Sequence, residues 1–317
     1  MRKTLSFVLC ALATAATAQV RVQEYSVPPG HGVHDVWADA NPGGPIWISA
    51  QRSGNLGILD PKSGKVEFVK LGAGSSPHGV VAGEDGAPFL TDGGQNAIVR
   101  VDPKTRAVKT WPLPADSGYT NLNTAIFDKK GVNWFTGQSG IYGRLDPRTG
   151  KMEIFESPRG RGSYGMHVTP DGSVYYASLA GSHIAKVDTG TGKATVIEPP
   201  TPRQGARRVW SDSKGNVWVS EWNSGNLSRY EPKTGKWSTW RAPGDDPHVY
   251  AVYVDETDKV WASEWSAQVM LRFDPGTEKF ESFRSSSRNA NVRQIHGRKG
   301  EVWTPESAAD KIVVYRY

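Results

Sequence analysis

The feature that most restricts this chain is a pattern restated every forty-odd residues. Ser220 to Trp240 reads SEWNSGNLSRYEPKTGKWSTW, and Ser263 to Phe283 reads SEWSAQVMLRFDPGTEKFESF, in register 43 positions later. The pair belongs to a series. An apolar residue followed by Asp-Pro or a near variant occurs at Leu59-Asp60-Pro61, Val101-Asp102-Pro103, Leu145-Asp146-Pro147, Val187-Asp188-Thr189, Tyr230-Glu231-Pro232 and Phe273-Asp274-Pro275, in steps of 42, 44, 42, 43 and 43. A second marker, an aromatic closing a short run after a turn, falls at Trp47, Phe89, Trp134, Tyr175, Trp218, Trp261 and Trp303. Seven markers mean seven units, and a period near 43 accommodates four strands with their turns, the size of a propeller blade.

One unit shows the plan. GVVA, APFLTD, AIVRVD and AVKTWPL read as four strands, separated by Glu84-Asp85-Gly86, Gly93 to Asn96 and Pro103 to Thr105 as turns. The seventh unit stops at VVYRY, its third strand, while VRVQEYSV at Val20 to Val27 matches the fourth strand of other units. The expected fold is therefore all-β, a seven-bladed β-propeller of four-stranded antiparallel blades, closed by the N-terminal strand completing the last blade. Residues 19–317 are expected to form this single domain. The second-strand Trp47, Trp134, Trp218, Trp261 and Trp303 are expected to pack between neighbouring blades.

The first 18 residues, with Arg2 and Lys3, an apolar run from Leu5, and Ala16-Thr17-Ala18, read as a secretory signal peptide. No later run approaches the length of a membrane span. The mature protein is expected in the periplasm or secreted, and as a monomer. The single cysteine, Cys10, lies in the signal, so the mature chain has no disulfide, thiolate nucleophile or cysteine metal ligand. Formal charge is +6 with Arg2 and Lys3 included, hence about +4 after cleavage, scattered without a basic block. Nucleic acid is not an expected partner; a small-molecule or peptide ligand at the channel mouth is.

In a propeller the first strand of each blade lines the axis and the second returns, so the start of strand one and the end of strand two share a rim. Counting 11 back from each aromatic marker gives His78, Asn123, Tyr164, Arg207 and Tyr250 in blades two to six. His34 takes this place in blade one if Ala40 to Gly44 absorbs an insertion, and in blade seven the count lands on Val292, with Arg293 beside it. Counting three forward gives Ala50, Asp92, Gly137, Ser178, Glu221, Glu264 and Glu306. Two readings stay open: rim salt bridges, Glu221 with Arg207 or Arg208 and Glu306 with Arg293, or a polar pocket whose carboxylates hold a hard cation and whose imidazoles move protons. His167, His183 and His296 read as structural or exposed. No G-x-S-x-G elbow, H-E-x-x-H or phosphate loop is present.

The units SPHGVVAGEDGAPFLTDGGQNAIVRVD and NVWVSEWNSGNLSRYEPKTG resemble the virginiamycin B lyase (streptogramin lyase) family, over all seven repeats. The resemblance implies a carbon–oxygen lyase that opens cyclic depsipeptides at their ester by elimination, with a magnesium ion and a histidine base. It implies functional residues in the last two blades: a histidine opening blade six, matched by His248 on the Pro-His motif or by Tyr250 on spacing, and a glutamate matched by Glu306. The acid and the histidine implied at the opening of blade seven fall on Asn291 and Arg293, and a guanidinium does not act as a base near neutral pH. Two functions follow. One is a lyase or hydrolase on another exported substrate, with His248, His78 or Tyr250 in the chemistry and Glu264 and Glu306 beside Mg2+. The other is a binding propeller that grips a ligand through His34, Asn123, Tyr164, Arg207, Trp222, Trp265 and Arg293.

Overall fold

The computed structural model describes residues 19–317; residues 1–18, expected to be a signal peptide, lie outside the described residues. Seven four-stranded antiparallel sheets follow one another, each innermost strand packing on that of the next blade and blade one on blade seven. In blade two the strands are Pro77–Ala82, Pro88–Asp92, Ala97–Val101 and Val108–Pro112, from the axis outward. Blade seven is completed by Arg21–Ser26, which pairs along Lys311–Arg316 from Arg21↔Arg316 to Ser26↔Lys311. That pairing covers the edge an open ring would expose.

The repeated sequence is legible as packing between blades. Trp47, Trp134, Trp218, Trp261 and Trp303 are all buried, each against apolar residues of two or more blades. Trp134, Trp218 and Trp261 donate their indole N–H to Asp128, Asp212 and Asp255 of the preceding turn, at 2.8–3.1 Å. Trp47, whose turn carries the insertion, is left without a partner. Third-strand arginines cover the outer edges: Arg144, Arg229 and Arg272 lie 5.3–5.6 Å from the indoles of Trp134, Trp218 and Trp261. The paired Glu-Trp steps belong to a different region, the rim.

The innermost strands of blades one to six each carry a bulge near the start. In blade one Val33 pairs with Ala50 and Val36 with Ile48, so His34 and Asp35 together oppose Ser49. A bulge re-aims side chains, and here two consecutive residues, His34 with Asp35 or Arg207 with Arg208, make contacts across the channel. The second-strand hydroxyl opposite each bulge joins neighbouring blades: Ser49, Thr91, Thr136 and Ser220 donate to the carbonyls of His78, Asn123, Tyr164 and Tyr250, each at 2.5 Å. Blade four has Ala177 in that place, so the carbonyl of Arg207 lacks this clasp.

Candidate active site at the channel mouth

The second residue of each innermost strand in blades one to six, with Arg293 after the Val292↔Glu306 bridge in blade seven, forms a ring at one end of the channel: His34, His78, Asn123, Tyr164, Arg207, Tyr250 and Arg293. In blade seven the place belongs to Arg293, one position past the count, because His296 faces Trp303 across a hairpin one residue shorter than that joining Val81 to Phe89. Tyr250 takes the blade-six place. His248 lies just before that strand, on the rim, where Nδ1 is 3.0 Å from Ser266 Oγ and the ring lies 4.8 Å from Trp222.

The ring is continuous. His34 and His78 lie 3.9 Å apart, ring to ring, and Asn123 Nδ2 is 3.1 Å from His78 Nε2. Tyr164 and Tyr250 share a hydrogen bond, hydroxyl to hydroxyl, of 2.6 Å. Arg207 lies over Tyr250, 3.5 Å from its centroid, and 4.2 Å from that of Trp222, and its Nη2 donates to Tyr164 Oη at 3.3 Å. Arg293 lies 5.0 Å from the Trp265 ring, which in turn contacts Tyr250 and Trp222 at 5.2 and 5.7 Å.

One layer deeper the third residues of the strands meet. Arg208 spans the channel to both carboxylate oxygens of Asp35, at 3.2 and 3.3 Å, and donates to Thr124 Oγ1 at 3.0 Å. Gly79 and Gly165 occupy this layer because the next strand approaches too closely for a side chain: a Cβ on either would lie 2.6 Å from Asn123 O or Arg208 Cα. Thr124 passes its own proton to Asn123 Oδ1 at 2.8 Å, which turns the Asn123 amide nitrogen toward His78 Nε2. His78 then carries its proton on Nδ1, an atom buried without a partner. Burial, reinforced by His34, Arg208 and Arg293, holds His78 well below the usual imidazole range. Burial also lowers His34 against the opposing pull of Asp35 2.8 Å away. Both are neutral at pH 7.

The strand-two carboxylates are engaged by the rim itself. Glu264 accepts the backbone N–H groups of His248, Ser266 and Ala267 at 2.6–2.8 Å, and Glu306 accepts the N–H and hydroxyl of Ser286 at 2.8 and 2.9 Å. Glu221 accepts from Ser224, Ser228 and Asn226, with burial raising its carboxyl above the ordinary range. The rim salt bridges that one of the two sequence readings gave Glu221 and Glu306 are thus replaced by ties to nearby turns: Arg208 is drawn to Asp35, and Arg207 and Arg293 lie near aromatic rings. The recurring Ser-Glu step supplies an inter-blade hydroxyl and a buried loop anchor; the Trp after it, Trp222 or Trp265, lines the mouth.

Among the described residues, the group whose donor atoms converge closely enough to chelate a metal is His34, Asp35 and His78, within 4.8 Å of one another. Sequence reasoning found the two histidines but not Asp35, whose neighbour in sequence carried the signal. Beside this cluster a cleft of 480 Å³ opens to solvent, lined by Gly32, His34, Arg52, Ser75, Ser76 and Arg293 among others.

The relatives agree with this architecture. Virginiamycin B lyase from Staphylococcus aureus superposes with a TM-score of 0.86 at 18% identity, covering 94% of this chain and 100% of that one. A streptogramin B lyase structure gives 0.85 at 19% identity over 94% and 97%. A catalytically inactive virginiamycin B lyase from Staphylococcus aureus with quinupristin gives 0.85 at 19% identity over 94% and 100%. No curated protein matches the chain. At these identities the superpositions speak for the fold, and a family model described as the virginiamycin B lyase family matches residues 11–270. With most of its length under that model, the chain belongs to the virginiamycin B lyase family.

Proposed function

We propose that the protein is an exported lyase that breaks a C–O bond β to a carbonyl at the channel mouth, on an ester or cyclic-peptide type of substrate, with Tyr164 as the base. The observation that carries this is the 2.6 Å hydroxyl pair of Tyr164 and Tyr250 beneath Arg207. Burial opposes ionisation of Tyr164, but the guanidiniums of Arg207 and Arg208, with the hydroxyl of Tyr250, hold it below the ordinary tyrosine range. Tyr250 is pushed up to about 12 by burial and by the neighbouring Tyr164. The pair titrates as a unit, and of its two hydroxyls that of Tyr164 is the more readily ionised.

In the elimination the Tyr164 oxygen takes the proton from the carbon next to the substrate carbonyl. The C–H electron pair becomes the new C=C bond, and the β C–O pair departs with its oxygen, as a carboxylate when the bond was an ester. Negative charge gathers on the carbonyl oxygen in the transition state, where Arg207 and the unpartnered Nδ1–H of His78 are the donors at hand. His248, Trp222 and Trp265 form the rim against which the rest of the substrate rests.

Magnesium, implied by the family, fits these residues poorly. It takes oxygen ligands in octahedral geometry, yet Glu264 and Glu306 already accept rim N–H groups. The converging donors are two imidazoles and one carboxylate, a set suited to a transition metal, and that carboxylate is held by Arg208. A second reading, a propeller that binds without chemistry, is favoured by Arg293, which stands where the family resemblance implies a histidine base.

The test is to offer the mature protein quinupristin and simple β-acyloxy esters and to follow alkene formation by ultraviolet absorbance. Tyr164→Phe is expected to lower kcat/KM by about 10²–10⁴-fold without changing the melting temperature. Turnover unaffected by Tyr164→Phe overturns the assignment of the base, and saturable binding with no alkene from any ester supports the binding propeller.

A further inference from the structure

The unpartnered buried polar atoms at the mouth belong to His78, Gln204, Arg207, Arg208 and Ser307, and none of them is a carboxylate oxygen. The carboxylates of Glu221, Glu264, Glu306 and Asp92 are buried and taken up by turn N–H groups and hydroxyls; Asp92 alone accepts from the backbones of Ser76, Gly94 and Gln95 at 2.8–3.0 Å. Asp35 is spoken for by Arg208 and His34. The guanidiniums are not matched in the same way. Among the described residues neither Arg207 nor Arg293 has a carboxylate partner; Arg207 makes one long bond to Tyr164 and leaves Nε buried and unpartnered. Arg293 and Arg52 face the same 480 Å³ cleft, together with Ser75, Ser76 and a Ser307 whose buried hydroxyl has no partner.

The placement of the two ring arginines is specific. Tyr250 stands between them in the ring, with Trp222 on the Arg207 side and Trp265 on the Arg293 side. Aromatic rings flank both guanidiniums and no carboxylate takes up their remaining N–H groups, a setting in which arginine recognises an oxyanion. The Tyr164–Tyr250 hydroxyl pair lies directly beneath Arg207. A carboxylate seated on these forks therefore lies beside the proposed base, and its charge is neutralised at the place where a proton on the adjacent carbon would be taken.

We infer that the ligand of this mouth is an acid: a small molecule whose carboxylate is bound by Arg207 and Arg293, which on the lyase reading sets it next to the carbon that loses its proton. This rests on the lyase reading above, and it replaces a neutral ester or cyclic peptide with a carboxylate-bearing compound whose C–O bond is β to that carboxylate. The bonds made and broken are those of the elimination already given, with the carboxylate carbon as the carbonyl and an alkoxide, protonated on departure by the tyrosine pair, as the leaving oxygen. Cation ligation is disfavoured at the same place, because a divalent ion at His34, Asp35 and His78 would have to displace Arg208 from Asp35.

Calorimetry on the mature protein tests this with citrate and a galacturonate trimer, each alongside its methyl ester. In each pair the two compounds share a carbon skeleton and differ in charge. The acids are expected to bind at least tenfold more tightly than the esters, more weakly as salt rises, and about tenfold less tightly to Arg207→Gln and to Arg293→Gln. Equal binding of acid and ester, no binding of either acid, or acid binding unchanged in both variants overturns the inference. Alkene formation read on the same samples separates it from the lyase reading. Arginine-dependent binding of an acid with no alkene leaves the inference standing and removes the lyase. Alkene from a neutral ester, lost in Tyr164→Phe, with no acid bound, does the reverse.

Discussion

The two ends of the central channel both hold histidines among aromatic rings, and they are built for opposite purposes. At the mouth His34 and His78 stand beside Asp35, Arg208 and Arg293, with a cleft in front and an unpartnered Nδ1 on His78. At the far end His296 lies 3.7 Å from the Trp37 ring and accepts the N–H of Ala38 at 3.0 Å, while His167 lies 4.0 Å from Trp210. Tyr253 fills the gap between Trp210 and His296 at 4.9 and 5.9 Å. A histidine count does not separate the two ends. An unpartnered Nδ1 does not separate them either, since His167 has one as well as His78; what separates them is the charged layer below the mouth, where an imidazole next to guanidiniums can serve chemistry, whereas one stacked among rings serves as a flat polar wedge.

The largest effect is expected from removing the layer between the ends. Asp35→Ala leaves Arg208 buried without its partner, and denaturant unfolding should show a loss of about 3–5 kcal/mol. A loss below about 1 kcal/mol would mean that the ion pair does not organise the mouth. Next comes the far end, where His296→Ala removes the stack on Trp37 and orphans the Ala38 N–H, for about 1–3 kcal/mol, with ligand binding at the mouth unchanged.

His296 also carries a pH signature. Burial, with His167 adding to it, lowers its pKa to about 3, so below the ordinary pKa of about 6.5 the unfolded chain binds a proton that the folded one refuses. Its contribution to stability is full above about 6.5 and is lost as pH falls toward 3, at a slope of about 1.4 kcal/mol per pH unit. His296→Ala should flatten that acid limb, and an unchanged slope would show that the far end is wetter than its contacts imply. The smallest effect on the fold is expected at the rim: Trp265→Ala should cost under about 1 kcal/mol of stability while weakening ligand binding by about 1–3 kcal/mol, and equal affinity would take Trp265 out of the site.

Blade number, strand order and the ring of mouth residues were legible in the sequence because they follow from a period, and a period survives without knowledge of any contact. Arg293 was offset by one because a shortened hairpin at Lys299-Gly300 is invisible to a count. The pairing of Arg208 with Asp35 was not legible at all: it joins residues 173 apart, and both Arg207 and Arg208 were equally placed to meet Glu221. The role of the carboxylates was half legible. Strand ends were found correctly, but whether a buried glutamate takes a cation, an arginine or the N–H groups of its own turn depends on turn geometry, which residue type alone does not state.

The pairing of Arg21–Ser26 with Lys311–Arg316 also sets the order in which the molecule can be finished. Six blades assemble from neighbours in sequence, so they are available early. The seventh joins segments separated by nearly the whole described chain, and the loop it closes carries the greatest entropic cost in the fold. The ring therefore remains a string of open sheets until the final segment is delivered, and its completion is a single late event. A circularly permuted version, cut at Lys104-Thr105 with the original ends joined, would turn that pairing into a local hairpin and hand the late closure to blade two, whose third and fourth strands would then lie at opposite ends of the chain, without altering the mouth.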